Sequence, residues 1–246
     1  MSALLLVAGW LLVGCGPDPV AFTGLQDAPE LLSTFALFAG DPAEQAPAAG
    51  VIPYDITTPL FSDYADKLRF VRLPEGPPAR YDPSDSFAFP VGTLLVKTFA
   101  VSDAGLEGGR RLLETRILAR LESGWIGLPY VWNEEQTEAE LRIAGARLEV
   151  PLEAARVDGD TGYLVPNANQ CKGCHEATAE GIGPLGPKAR YMNRDFAYDH
   201  GSENQLAYWA RVGALEGAPV PATAPTTPIW DDPATGSLDA RARAYL

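Results

Sequence analysis

Residues 113–132 read Leu-Glu-Thr-Arg-Ile-Leu-Ala-Arg-Leu-Glu-Ser-Gly-Trp-Ile-Gly-Leu-Pro-Tyr-Val-Trp, and this stretch decides the fold class. Leu113, Thr115, Ile117, Ala119 and Leu121 alternate with residues that are mostly charged. Such an alternation predicts a β-strand. The following Glu122-Ser123-Gly124 is a turn signal, and residues 125–132 form the expected return strand. The stretch therefore predicts an antiparallel β-hairpin.

The regions on either side of this hairpin carry further strand signals. They are residues 67–73, 87–101, 138–142 and 147–150, and we expect the last two to pair with each other. About six to eight short strands between residues 51 and 165 indicate an antiparallel sandwich or barrel. From residue 166 onward the pattern changes to helix and loop. There Ser202-Glu203-Asn204-Gln205 fits the capping box that begins a helix.

The most specific motif is Cys171-Lys172-Gly173-Cys174-His175, a C-x-x-C-H run. This spacing is typical of covalent c-type haem attachment. Each thiol forms a thioether with one haem vinyl group, and the adjacent imidazole becomes the proximal iron ligand. The run predicts one haem c, bound through Cys171 and Cys174, with His175 as the metal ligand. A redox C-x-x-C pair, half of a zinc site and a structural disulfide are the alternatives.

The N-terminus resembles a bacterial export signal. Residues 3–14 are apolar but too few to span a membrane, and Leu12-Val13-Gly14-Cys15 resembles a lipobox. We expect Cys15 to carry a lipid anchor, which would make the protein a periplasm-facing membrane lipoprotein of the cell envelope. An ordinary cleaved signal and a buried apolar N-terminus are the alternatives. Haem attachment agrees with export, because bacterial c-type haem is attached after the chain crosses the membrane.

These signals divide the chain into four expected parts. Residues 1–15 are the lipoprotein signal and anchor cysteine, and residues 16–50, rich in Ala, Pro and Gly, are a tether. Residues 51–165 are a mainly β domain. Residues 166–246 are a small α-helical, cytochrome c-like haem region that is C-terminally incomplete.

The charge of the chain bears on its partners. The net charge is −13 over 246 residues, which argues against nucleic acid as a partner. A negative field suits docking to a basic redox partner protein. We also expect contact with a membrane through the lipid anchor on Cys15.

The distal ligand of the iron has three candidate solutions. Met192 follows His175 by seventeen residues and is a candidate metal ligand, with a core position as the alternative. His200 is the only other histidine, and a solvated loop position is its alternative. The third solution is an open position, or a ligand outside this sequence. An open position would permit ligand binding or peroxide chemistry.

Several blocks of the sequence resemble those of a family of uncharacterised bacterial exported di-haem c-type cytochromes, which have an N-terminal β-rich region. The blocks are Tyr54-Asp55, Thr58-Pro59-Leu60-Phe61-Ser62-Asp63-Tyr64-Ala65, Lys67-Leu68-Arg69, Phe89-Pro90-Val91-Gly92-Thr93, Lys97-Thr98-Phe99, Leu113-Glu114-Thr115-Arg116, Tyr130-Val131-Trp132-Asn133-Glu134-Glu135-Gln136-Thr137, Val165-Pro166-Asn167, Asn169-Gln170-Cys171, Gly186-Pro187-Lys188-Ala189-Arg190 and Arg241-Ala242-Arg243-Ala244-Tyr245-Leu246. In this family the last block runs into a second C-x-x-C-H motif. The resemblance implies a di-haem cytochrome truncated before that motif.

We expect a haem c-binding electron-transfer protein of the bacterial cell envelope, and a carrier in preference to a catalyst. One alternative is a haem peroxidase or oxidoreductase with an open iron site. Another is a β-domain binding module whose haem is structural or sensory. The resemblance does not choose among them, because it implies no particular activity.

Overall fold

The computed structural model describes residues 20–62, 64–149, 162–178 and 181–245. Within these ranges the strands are β1 Val51–Tyr54, β2 Asp66–Arg72, β3 Ala79–Arg80, β4 Leu94–Ser102, β5 Arg110–Leu121, β6 Gly124–Trp132, β7 Ala139–Leu141, β8 Ala146–Glu149, β9 Gly162–Val165, β10 Glu176–Thr178, β11 Gly181–Ile182, β12 Asp195–Tyr198, β13 Gly201–Asn204 and β14 Leu215–Glu216. The α-helices are α1 Cys171–His175, α2 Ala189–Met192, α3 Gln205–Arg211 and α4 Leu238–Tyr245. Short 3-10 turns are Leu32–Phe35, Pro42–Glu44, Glu107–Gly109, Pro221–Thr223 and Pro233–Thr235.

The fold is organised around a six-stranded antiparallel sheet with the strand order β1-β2-β4-β5-β6-β7. The predicted hairpin is its centre, since β5 and β6 pair from Glu114 opposite Val131 to Leu121 opposite Gly124. Gly124 has φ of +123°, a backbone conformation that favours glycine and ends the turn. The mainly β, antiparallel prediction is therefore confirmed.

Some predicted details of the sheet are wrong. Residues 138–142 and 147–150 do not pair with each other, because β7 adds to the edge of β6 and β8 pairs with β9. Outside the six-stranded sheet, the described strands form only two-stranded pairs, and a sandwich would need a second large sheet. Strand pairing depends on tertiary contacts that a local alternation pattern does not carry.

One face of the sheet is covered by the N-terminal segment. On this face Phe70, Val96, Ile117 and Leu128 stand directly opposite one another on β2, β4, β5 and β6, and all four are buried. The segment 20–50 packs Leu32, Phe35 and Leu37 against them. Phe35 is fully buried, and its ring meets the Tyr130 ring edge-on at 5.9 Å. The structure here differs from the expected tether, because these apolar side chains supply one layer of the core.

The opposite face is covered by the C-terminal part of the chain. There Val71, Leu95 and Leu118 share a core with Leu206 and Trp209 of α3. Helix α3 begins after Asn204, whose side chain accepts hydrogen bonds from the backbone N–H groups of the next turn. The expected capping box at Ser202 is therefore wrong by two residues.

The described part of 166–246 does not form a cytochrome-like helical region. Its helices have five, four, seven and eight residues, and the hairpins β10–β11 and β12–β13 lie among them. Helices this short are marginal on their own and depend on packing against the rest of the fold. The C-x-x-C-H motif is thus carried by a short helix that lies on a β-sheet.

We predict that the N-terminal segment stabilises the sheet directly. Phe35→Ala should lower the free energy of unfolding by about 3–5 kcal/mol, because it opens a cavity beside Tyr130. The neighbouring Leu31 is 42% exposed, so Leu31→Ala should cost about 1 kcal/mol or less. Urea unfolding followed by tryptophan fluorescence measures both changes. If Phe35→Ala lowered the free energy of unfolding no more than Leu31→Ala does, this segment would be a tether.

Candidate functional site

The C-x-x-C-H motif forms helix α1 and is anchored at its start by two reciprocal hydrogen bonds. The side chain of Asn167 accepts the backbone N–H of Gln170 at 2.9 Å, and the side chain of Gln170 accepts the backbone N–H of Asn167 at 2.8 Å. The Gln170 N–H also donates to the Asn167 carbonyl oxygen at 3.0 Å, and the reciprocal side-chain bonds resemble those of a capping box. This local closure fixes where the five-residue helix begins.

His175 is fixed by Gly183 through both its backbone and its ring. The Gly183 N–H donates to the His175 carbonyl oxygen at 2.9 Å, and the Gly183 carbonyl lies 2.9 Å from His175 Nδ1. A carbonyl oxygen can only accept, so Nδ1 carries the proton and donates. In a neutral imidazole this leaves the lone pair on Nε2. The ring therefore has the tautomer of a histidine that ligates a metal through Nε2.

The environment of His175 favours its neutral form. Burial lowers the pKa of His175, and the charges of Lys97 and Arg116 lower it further, while the bond to Gly183 opposes this shift. A neutral imidazole can ligate a metal, whereas an imidazolium cannot. Position, tautomer and charge state of His175 all suit ligation.

Both cysteines of the motif are free thiols. Cys174 is exposed and Cys171 is partly buried. Burial raises the pKa of the Cys171 thiol, and the charge of Arg116 opposes this shift. Both sulfur atoms are thus available for thioether formation, and no disulfide competes for them.

Gly127 makes room for Cys171 on the sheet. A Cβ atom at Gly127 would lie only 2.8 Å from Cys171 Sγ and 3.1 Å from its Cβ. Gly127 stands opposite Leu118 on β5, so α1 lies over the face that also carries Leu118. This close approach of backbone and thiol is one reason for a glycine in the middle of a strand.

A row of cations crosses the same face one step further along the strands. Arg69, Lys97 and Arg116 stand directly opposite one another on β2, β4 and β5. Arg116 is two residues from Leu118, and side chains two apart on a strand share a face. The row therefore lies on the side of the sheet where α1 is packed.

Two members of this row are neutralised by carboxylates. Arg69 donates to Asp55 at 2.6 Å. Arg116 makes two hydrogen bonds to Glu114, at 2.8 and 2.5 Å, and Tyr163 donates to the same carboxylate at 2.7 Å. Glu114 has no exposed surface, so Arg116 and Tyr163 together satisfy a charge that would otherwise be costly to bury.

An open cleft borders the motif at Gly183. It has a volume of about 480 Å³, and its walls include Phe89, Trp125 and Arg120. The Arg120 guanidinium lies 5.9 Å from the Trp125 ring centre, and Phe89 meets the same ring edge-on. The residue that orients His175 therefore also forms part of a partly aromatic surface.

The two candidate distal ligands each have another role in the described structure. Met192 has no exposed surface and belongs to the apolar core with Leu206 and Trp209. His200 Nε2 lies 2.8 Å from a carboxylate oxygen of Glu203, and its ring stacks on Tyr198. The two side chains are therefore engaged in the core and at the surface respectively.

The expected lipid anchor, Cys15, and the whole signal 1–15 lie outside the described residues. In the ranges that are described, no helix has the length and apolarity that a membrane crossing requires. Nor do those ranges contain a group of three or more His, Cys, Asp or Glu side chains placed to hold a metal ion. The motif contributes one imidazole, His175, and two thiols, Cys171 and Cys174.

No protein-family model, curated protein or solved structure matches this chain. The resemblance to exported di-haem cytochromes therefore stays a prediction.

Sequence reasoning found the motif but missed the residues that surround it. Gly127 lies 44 positions from Cys171 along the chain. Gly183 and Lys97 lie 8 and 78 positions from His175. A glycine inside a strand signals close backbone approach, so Gly127 carried a signal of its own. Nothing local in the sequence marks Gly183 as the acceptor for His175, because that contact exists only after β11 folds back.

We predict that Gly127 is needed for the seating of α1. Gly127→Ala should destabilise the fold by about 1–3 kcal/mol, because the new methyl group overlaps Cys171 Sγ. Gly173 is the matched control within the motif itself, since a Cβ there meets no atom within 4 Å. Gly173→Ala should be neutral or stabilising by about 0.5–1 kcal/mol. Urea unfolding measures both, and a harmless Gly127→Ala would show that α1 does not rest on β6.

Proposed function

We propose that this protein binds one haem c covalently and carries electrons in the bacterial cell envelope. Cys171 and Cys174 would form the two thioethers, and Nε2 of His175 would be the proximal iron ligand. The observation that carries the proposal is the hydrogen bond from His175 Nδ1 to Gly183, because it leaves Nε2 as the lone-pair nitrogen within a C-x-x-C-H run.

The remaining features of the site fit the same group. The thiols are free, one of them is exposed, and the neutral imidazole is held at two points by Gly183. Bound haem c supplies a one-electron iron centre whose potential depends on its ligands and surroundings. The protein's part is to hold His175 in one orientation and to provide a buried wall. We propose that α1 and the sheet face beside Gly127 form this wall together, in place of a helical cytochrome domain.

The proposed location follows from the chemistry of attachment. Haem c is attached after export, so we propose that the chain reaches the periplasmic side and is held at a membrane by lipid on Cys15. The net charge of −13 supports a basic redox partner protein and gives no support to nucleic acid binding. The resemblance to exported di-haem cytochromes belongs to the same proposal.

A second function is favoured by the surroundings of Met192 and His200. If neither side chain reaches the iron, the distal position is open to a small ligand, and a haem peroxidase or oxidoreductase becomes the alternative. The spin state of the reduced protein separates the two functions. A six-coordinate low-spin iron favours electron transfer, and a five-coordinate high-spin iron favours an enzyme or sensor.

We predict covalent haem attachment through the motif. In cells that express a c-type maturation system, the wild type should keep a haem-peroxidase stain on a denaturing gel. The double variant Cys171→Ser, Cys174→Ser should lose it, because no thioether can form. Lys172→Ala is the matched control, since it changes an exposed position inside the motif and should keep the stain. A stain that survives in the double variant refutes the assignment.

We also predict that Met192 is a core residue. Met192→Leu should leave the absorption spectrum of the reduced protein unchanged and cost less than about 1.5 kcal/mol of stability. A methionine bound to iron would instead be revealed by a change in spin state and a lower potential. His200→Gln, measured in the same way, tests the other candidate. A spectral change in only one of the two variants would identify the distal ligand.

A further inference from the structure

The middle cation of the row described above has no counterion in the described structure. Arg69 pairs with Asp55, and Arg116 pairs with Glu114. Lys97 lies between them, and among the described residues no carboxylate or hydrogen-bond acceptor contacts its ammonium group. The centre of the Phe99 ring lies 5.0 Å from Nζ. Since the two guanidinium groups already have partners, Lys97 is the member of the row that lacks one.

The surroundings of Lys97 make an unpaired charge costly. Burial, together with the charges of Arg116 and Arg69, lowers the pKa of Lys97 to about 7. Arg116 also lies over the Phe99 ring, at 4.3 Å from its centre. Two cations therefore share one aromatic ring, and only Arg116 has a carboxylate. An additional anion at this point would remove the repulsion that Lys97 experiences.

The row is close enough to the motif to act on it. Counted on the sheet, Lys97 lies two strands and two residues from Gly127, the position beneath Cys171. With strand spacings of about 4.8 Å and a rise of about 3.4 Å per residue, this separation is about 12 Å. It is comparable to the width of a porphyrin.

A haem attached at the motif would bring carboxylates to this distance. Its two propionates lie on the edge of the porphyrin opposite the thioether edge, and both are ionised at neutral pH. A haem attached at Cys171 therefore has its anionic edge about one ring width away from that cysteine. On the sheet face, the cation without a partner is found at this distance.

We propose that the Lys97 ammonium, between Arg69 and Arg116, binds a propionate of the haem attached at Cys171 and Cys174. This inference rests on the proposed function. It assigns Lys97 as a positioning residue that fixes the haem edge on the sheet and neutralises a charge near the iron. Removing the lysine charge leaves the propionate uncompensated, which stabilises the ferric state and lowers the reduction potential.

The test uses the haem-loaded protein and three variants. Lys97→Met removes the charge and keeps the chain length, and Lys97→Arg keeps the charge. The control Lys67→Met removes a charge two residues from Arg69 on β2. We expect the ferrous-to-ferric ratio at a fixed potential to fall about tenfold in Lys97→Met, equivalent to about 59 mV for one electron. Lys97→Arg should restore the wild-type potential, and Lys67→Met should leave it nearly unchanged.

A second measurement reports the propionate itself. The propionate bending band in the resonance Raman spectrum should shift in Lys97→Met and return in Lys97→Arg. A change in potential without a change in this band would mean that the lysine acts only at a distance, and would overturn the proposal. Wild-type potentials that depend on added acetate would overturn it too, because the site would then bind a soluble carboxylate.

The haem stain on the gel distinguishes a failure of the proposed function from a failure of the propionate assignment. If the wild type carries no covalent haem, the proposed function fails and this inference fails with it. If all variants carry haem but Lys97→Met has the wild-type potential and Raman band, only the propionate assignment fails. Variants that load too little haem for a potential are replaced by Lys97→Gln, which is shorter and keeps a polar end.

Discussion

Both faces of the central strands β4 and β5 are buried, and most of the structure follows from this constraint. One face receives the apolar side chains of the N-terminal segment, and its buried hydroxyls, Thr98 and Thr115, pair with each other at 2.8 Å. The other face carries charged residues of β2, β4 and β5 beneath the C-terminal layer. Because a buried charge is costly unless it is paired, each charge on this face requires a specific partner. Glu114 and Arg116 meet that requirement together.

The same constraint explains which parts of the fold could be predicted from sequence. The β5–β6 hairpin was predictable, because alternation and the turn at Gly124 are local signals. The packing role of Phe35 was not, because 20–50 has the composition of a linker and no periodic pattern. The charged positions of β5 suggested a polar face, yet Glu114 is fully buried. Composition and periodicity do not show that a second layer covers that face.

The candidate site also has a part that could be predicted from the sequence and a part that could not. The C-x-x-C-H run is contiguous, so the two thiols and the imidazole were found at once. The groups that contact them are Gly127 of β6 and Gly183, which follows β11, and only the folded chain brings these together. Met192 was a candidate ligand because it is the single internal methionine, and in the described structure it is fully buried in the core cluster that contains Trp209. Met192 was noticed because methionine is rare in this chain, but its contacts depend on its burial in the folded structure.

Lys97 connects the stability of the fold to the charge it faces. The ordinary lysine pKa of 10.5 falls to about 7 in the folded chain, so between these pH values the unfolded chain binds more protons. Stability without a counterion therefore rises with pH across this window and is lost as the pH falls towards 7. A carboxylate beside the ammonium opposes that loss, because it favours the charged form in the folded state. A carboxylate of the proposed haem would thus also relieve a cost that the sheet imposes on this lysine.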